Sequence, residues 1–259
     1  MLSANNITYK IGSKTLLENV SVNFAAGKLN LIIGPNGAGK STLVKLLCHQ
    51  IKPSTGSIYY DKKDVNGYSI QELACIRAVL SQNIDLTFPL TVSEVVMMGR
   101  YPHFSGQPTA RDRAACVEAM QFFDVYDMVD RNYTTLSGGE KQRVHFARVL
   151  AQIWYPVAGQ LRYLILDEPL TFLDVHYQFD FMHKIQALLT QHIDLVVVGV
   201  VHDLNLAAKF AHQIVLLNNG KVLASGDKHV VLSKENIKTA YRLEPVIHQQ
   251  NGAMYLFFD

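Results

Sequence analysis

The run GPNGAGKST, Gly34 to Thr42, follows a mostly aliphatic stretch from Leu29 to Ile33 and leads into a segment, Thr42 to His49, with helical apolar spacing. It fits the pattern G-x-x-x-x-G-K-[ST], in which glycines let successive backbone N–H groups curl round phosphate oxygens while the lysine reaches the terminal phosphates. On that reading Gly34, Pro35, Asn36, Gly37, Ala38, Gly39, Lys40, Ser41 and Thr42 form a phosphate cradle, with the Ser41 hydroxyl placed on Mg²⁺. Strand, loop and helix in that order supply the context the pattern needs, because a helix start adds free N–H groups and a positive end.

Around this loop the chain has the composition of a globular protein. Its 259 residues are 49% hydrophobic, enough for one large core or two modest ones. The longest purely apolar run, Leu195 to Val201, falls far short of the roughly 20 residues that cross a bilayer. The first ten residues, MLSANNITYK, lack the basic stretch and apolar core of a secretory signal. Cys48, Cys75 and Cys116 have neither metal nor disulfide spacing, which fits a reducing cytoplasm. A net charge of +2 without blocks of like charge argues against nucleic acid as a partner.

Short alternating or apolar runs, Ile7 to Ile11, Val20 to Phe24 and Ser57 to Tyr60, read as strands of a β-rich layer that feeds the loop. After Gln82 the stretch Asn83 to Pro89 reads as a loop, and Thr91 to Gln152 shows helical periodicity, as an inserted helical segment would. Strand Tyr163 to Leu166, helix Val175 to Thr190, strand Leu195 to Val201, helix Leu204 to Ala211 and strand Ile214 to Leu217 then alternate, which predicts a parallel sheet. Asn251-Gly252 between apolar runs predicts a closing hairpin over Val246 to Phe258.

Four further features carry chemistry. The apolar strand Tyr163 to Leu166 ends in Asp167 and Glu168, where Asp167 would hold Mg²⁺ and Glu168 would polarise an attacking water. His202 follows another apolar strand, so in a parallel sheet it emerges at the same edge, within reach of a γ-phosphate. Gln82, closing the apolar stretch Ala78 to Leu80, would bridge Mg²⁺ and water and mark the hinge to the helical segment. Ser137, Gly138 and Gly139 open a helix, and two glycines where helix propensity is poor suit an anion site better than a plain cap. If the helical insertion holds that site far from the first loop, a single nucleotide touches both only with a second copy of the chain.

GPNGAGKST, Gln82, LSGGEKQR, YLILDEP, Leu173-Asp174 and His202 occur in the order of ATP-binding cassette ATPases, and the chain resembles that family over most of its length. The resemblance implies an α/β fold: a P-loop NTPase (RecA-like) core with an N-terminal antiparallel β layer and an inserted α-helical subdomain. It divides the chain into an ATPase domain over 1–245, with core segments 1–82 and 153–245 and a helical subdomain over 83–152, followed by a hairpin over 246–259. It further implies ATP and Mg²⁺ as cofactors and a head-to-tail dimer in which Ser137, Gly138 and Gly139 of one copy face the nucleotide of the other. Asp174 would communicate across that seam, and the groove near Gln82 would receive a short helix from a membrane permease.

Leu90 to Phe104 and Val200 to Ala211 look like importers of iron chelates, haem and vitamin B12, and the long link within Ala151 to Pro169 is similar to haem-importing members. The implied role is the ATP-hydrolysing, energy-coupling subunit of a bacterial importer, peripheral at the cytoplasmic face of the inner membrane. It would sit under two permease subunits that work with a periplasmic substrate-binding protein. A ferric siderophore or vitamin B12 is the alternative cargo, and a soluble cassette ATPase acting on nucleic acid or ribosomes the alternative of another class. Two departures stand out. Ile11 occupies the position aligned with the family's adenine-stacking aromatic, with Tyr9 two residues earlier, and Leu170 and Phe172 replace the more frequent threonine and alanine before Asp174.

Overall fold

Strand β1 (Leu2–Ile11) pairs antiparallel with β2 (Lys14–Phe24), after which β3 (Lys28–Ile33) leaves that layer for a second sheet and runs into the phosphate loop and α1 (Lys40–Leu47). The computed structural model describes residues 1–258 apart from 82–85, 87 and 172. The chain returns to the first layer through β4 (Thr55–Tyr60) and β5 (Lys63–Asp64), giving a four-stranded sheet in the order β2-β1-β4-β5. It then runs through α2 (Ile70–Ile76) into β6 (Arg77–Leu80), and from there into α3 (Val92–Met97), α4 (Ala110–Phe122) and α5 (Gly138–Gln152).

Strand β7 (Arg162–Leu166), α6 (Val175–Gln191), β8 (Leu195–Val200), α7 (Leu204–Phe210) and β9 (Gln213–Asn218) follow, and β10 (Lys221–Gly226) completes a six-stranded sheet, β10-β9-β3-β8-β7-β6. Short helices α8 (Lys228–Val231) and α9 (Lys234–Tyr241) lead to the hairpin β11 (Pro245–Gln250) and β12 (Ala253–Phe258). The turn between these last strands has φ 52 at Asn251 and φ 75 at Gly252, the left-handed geometry that the Asn-Gly pair predicts.

The six-stranded sheet is covered on both faces, which is why its inner strands read as unbroken apolar runs; every residue of β7 and β8 is buried. Leu31, Leu164, Leu166 and Val197 point into one hydrophobic cluster with α5, α6 and the rest of the helical segment. Ile32, Tyr163, Ile165 and Val198 point into another with α1 and the antiparallel layer. Strand alternation therefore sorts one sheet's side chains between two covers.

The helical insertion expected over Thr91 to Gln152 is present as separate helices, because the segment Met98–His103 tightens into a 3₁₀ turn with Pro102 inside it, where the missing N–H cannot continue an α-helix. Two expectations are corrected. The sheet is mixed, since β10 runs antiparallel to β9 along one edge. The first helix begins at Lys40 rather than Thr42, with Gly39 at φ 101 as its cap.

Candidate functional site

The parallel strands β3, β8 and β7 lie side by side, so their carboxyl ends deliver Gly34, His202 and Asp167 to one edge of the sheet. Strand β8 lies between the other two, which sets His202 between the loop and the carboxylate pair. Its Nε2 stands 2.8 Å from Glu168 Oε1. The histidine expected to reach a γ-phosphate thus also holds the neighbouring carboxylate.

Backbone approach explains two glycines of the loop. At Gly34, with φ 148, an added Cβ would come 2.3 Å from the Leu217 carbonyl oxygen, and at Gly39, with φ 101, it would come 2.6 Å from Leu17 Cδ2. The Asn219-Gly220 turn clamps the loop from outside, with the Gly220 N–H donating to the Ala38 carbonyl at 3.1 Å. Helices α2 to α5 all start with Ser or Thr capping boxes, but α1 has no side-chain cap and no acidic residue in its first turn. Its free N–H groups and positive end face the cleft, which suits an anion.

Lys40 is 5% exposed and donates from Nζ to the carbonyls of Gly34 at 2.7 Å and Pro35 at 3.0 Å. Burial pulls its ammonium below the ordinary lysine value, opposed by the Glu168 and Asp167 carboxylates. Burial, and then the charge of Glu168, push the Asp167 carboxyl up. Asp167 Oδ1 is buried without a hydrogen-bond partner, the condition of an oxygen meant for a cation. The donor set of Ser41 hydroxyl and Asp167 carboxylate, beside a phosphate cradle, fits Mg²⁺. Gln82, expected to join them, lies outside the described residues, as does Phe172.

A cleft of about 450 Å³ runs along this edge, lined among others by Thr15, Asn36, Gly37, Lys40, Ser41 and Glu168. Thr15 and the Asn219-Gly220 turn escaped the sequence reading. The Asn-Gly pair between apolar runs was a usable hairpin signal, whereas nothing local marked Thr15. Ile11, the position aligned with an adenine-stacking aromatic, is 59% exposed at the end of β1, while Tyr9 packs against the core.

The second predicted anion site stands apart, and neither Ser137, Gly138 nor Gly139 lines this cleft among the described residues. Ser137 caps α5: its Oγ donates to Glu140 Oε2 at 2.7 Å and accepts from the Glu140 N–H at 3.4 Å. The two hydrogen bonds from Ser137, with help from Arg131, hold the Glu140 carboxyl below its ordinary value. Asp174 caps α6 by accepting from the Tyr177 N–H at 3.0 Å, a local task beside the one expected of it. His176 and His183 are exposed, while His103 is half-buried, its Nε2 2.6 Å from the Gln152 carbonyl oxygen. The long link is tied down by Tyr155, which donates to Glu118 Oε1 at 2.7 Å, and by Arg162, which grips Asp194 through two hydrogen bonds.

The family model described as ABC transporter matches residues 17–171, a span holding the phosphate loop, the LSGGE run and the paired carboxylates. The chain belongs to the ABC transporter family. It is 44% identical over 249 residues to the hemin import ATP-binding protein HmuV of Gloeobacter violaceus, covering 95% of this chain and 89% of that protein. It is 43% identical over 244 residues to the protein of the same name from Pseudoalteromonas translucida, covering 94% of this chain and 93% of that one. Among solved structures, a dimeric bacterial ABC transporter cassette matches with a TM-score of 0.75 at 28% identity over 88% of this chain and 99% of that one. The same cassette in a post-hydrolysis state with ADP and Pi matches equally. An inward-facing metal-chelate type ABC transporter shares the fold, with a TM-score of 0.81 at 23% identity, over 100% of this chain and 96% of that one. As an ABC cassette the chain binds and hydrolyses ATP, and cassettes of the family form dimers that work with membrane permease subunits. Among the described residues no helix is long and apolar enough to cross a membrane.

Proposed function

We propose that this chain is the energy-coupling ATPase of a bacterial haem importer. The observation that carries the cargo is the 44% identity, over 95% of the chain, to a hemin import ATP-binding protein. On this reading the ATPase domain spans 1–245, with core segments 1–82 and 153–245 around a helical subdomain over 83–152, and the hairpin over 246–259 follows it. Two copies face each other head to tail beneath two permease subunits that receive haem from a periplasmic binding protein. They are peripheral at the cytoplasmic face of the inner membrane. The open surroundings of Gly138 and Gly139, where an added Cβ would meet nothing within 4 Å, support a signature surface built for a partner outside the protomer.

The chain's own groups perform the chemistry at the sheet edge. The N–H groups of Gly37 to Thr42 and the Lys40 ammonium bind the phosphates of ATP, and Lys40 exchanges its two carbonyl partners for them. Ser41, Asp167 and Gln82 would hold Mg²⁺. When bound, Mg²⁺ neutralises charge that develops on the phosphate oxygens. Glu168, oriented by His202, accepts hydrogen-bonded water and polarises it toward the terminal phosphorus. Asp174 lies at the seam between copies.

Proteoliposomes holding the chain with its permease subunits test the cargo. Uptake of labelled haem, dependent on ATP inside the vesicle, is the expected result. Uptake of a ferric siderophore or vitamin B12 with no haem transport would replace the cargo and keep the role. ATPase activity stimulated by nucleic acid or ribosomes, with no permease association, would remove the role.

A further inference from the structure

Glu168 sits in a backbone conformation that its own side chain disfavours. Its φ is 52, the left-handed region that L side chains rarely adopt, and the residue after it is Pro169, which adds its own restriction. Something outside the turn must hold it there. Within the turn the Thr171 N–H donates to the Glu168 carbonyl at 3.3 Å and the Leu173 N–H to that of Leu170 at 3.2 Å. Two glutamines, one on α6 and one on α5, donate to further carbonyls of the turn. Gln178 of α6 donates to the carbonyls of Leu170 at 3.4 Å and Leu173 at 3.0 Å. Gln142 of α5 donates from Nε2 to the Pro169 carbonyl at 3.0 Å.

Gln178 belongs to the helix that the turn itself enters, but Gln142 comes from the helix capped by Ser137. Five residues separate Ser137 from Gln142, roughly 7 Å of helix rise. A shift of α5 along its axis therefore changes the distance between the Gln142 amide and the carbonyl next to Glu168.

We propose that Gln142 is a positioning residue for hydrolysis: its amide on the Pro169 carbonyl keeps Glu168 in the left-handed conformation and makes that conformation depend on where the signature helix stands. The inference rests on the reading of Glu168 as the residue that polarises water. It adds a route, internal to one protomer, by which contact at Ser137 reaches that protomer's own carboxylate.

The test uses the full-length chain, with rates expressed per ATP-binding site so that only folded protein is counted. Gln142→Met keeps the side chain's length and removes the donor; it lowers kcat about tenfold, the worth of a lost hydrogen bond or slightly more, with the half-saturating ATP concentration unchanged. Gln142→Ala behaves alike, and provides the comparison if the Met variant folds poorly. In a Glu168→Gln background the same Gln142 changes produce no further loss, because the group they position is already disabled. Wild-type kcat in both Gln142 variants, or a loss that multiplies with that of Glu168→Gln, overturns the proposal. A Glu168→Gln variant that itself turns over at the wild-type rate is a different failure: it removes the role of Glu168 on which the proposal stands.

Discussion

Lys40 donates its ammonium to the carbonyls of Gly34 and Pro35, so the loop is folded round a positive charge. That arrangement costs something, since burial depresses the lysine's pKa, and a phosphate is a stronger acceptor than two carbonyls. Replacing Lys40 with Ala removes the charge and leaves the two carbonyls without their donor. The expected outcome is ATP affinity weakened by about a hundredfold, from one lost charge-assisted contact in a partly desolvated site, measured by equilibrium binding. Residue types at this scale were legible. Gly34 to Thr42, Asp167, Glu168 and His202 could be picked out because each follows an apolar strand and the loop has a spacing that only a phosphate cradle needs. The contact between His202 and Glu168 was not legible, because nothing in a sequence states which strand lies between which.

At the scale of elements, a buried ion pair ties parts of the helical segment together. Arg100 donates from Nε to Asp112 Oδ1 at 3.0 Å and also reaches the Ala151 carbonyl at 2.8 Å, so it joins the 3₁₀ turn at Met98–His103, the start of α4 and the end of α5. Both side chains are at most 5% exposed. Burial works to raise the Asp112 carboxyl, but hydrogen bonds from Thr109 and Arg100 prevail and hold it below its ordinary 3.8. A depressed carboxyl stabilises the fold above its unfolded value and loses that contribution as pH falls through the folded one. Asp112→Ala is therefore expected to lower stability by about 3 kcal/mol at pH 7, since it strands a buried guanidinium. Urea unfolding should show a difference that stays level from neutrality down to about pH 5 and shrinks below 3.8 as the wild-type carboxylate takes up its proton. Element types were read correctly wherever period and length agreed. The insertion over Thr91 to Gln152 was legible as helical, but its internal breaks were not, because Pro102 and the short turns around it break a helix without breaking the apolar spacing.

For the whole molecule the informative residues are the two glycines after Ser137. Neither has a positive φ, and an added Cβ at either would enter open space, so nothing within the protomer demands glycine. Gly139→Ala should accordingly stabilise the isolated chain by about 0.5 kcal/mol, the usual gain of alanine over glycine inside a helix. If this surface receives the nucleotide of a second copy, the same change obstructs it. ATP-dependent dimerisation, followed by light scattering in the hydrolysis-impaired Glu168→Gln background, should fall while the thermal midpoint rises. A variant that is both more stable and fully dimeric would show that the glycines serve no partner.

The order and spacing of the motifs, read with the apolar runs before them, determined the family, the chemistry and the sheet on which it is mounted, because each motif depends on local backbone geometry that its own residues dictate. Tertiary structure alone decided the clamp of Gly220 on the phosphate loop and the reach of Gln142 from α5 to the turn after Glu168. These are contacts between residues far apart in the chain, with no local conformational signature. Only the packing of the two covers on one sheet brings them together.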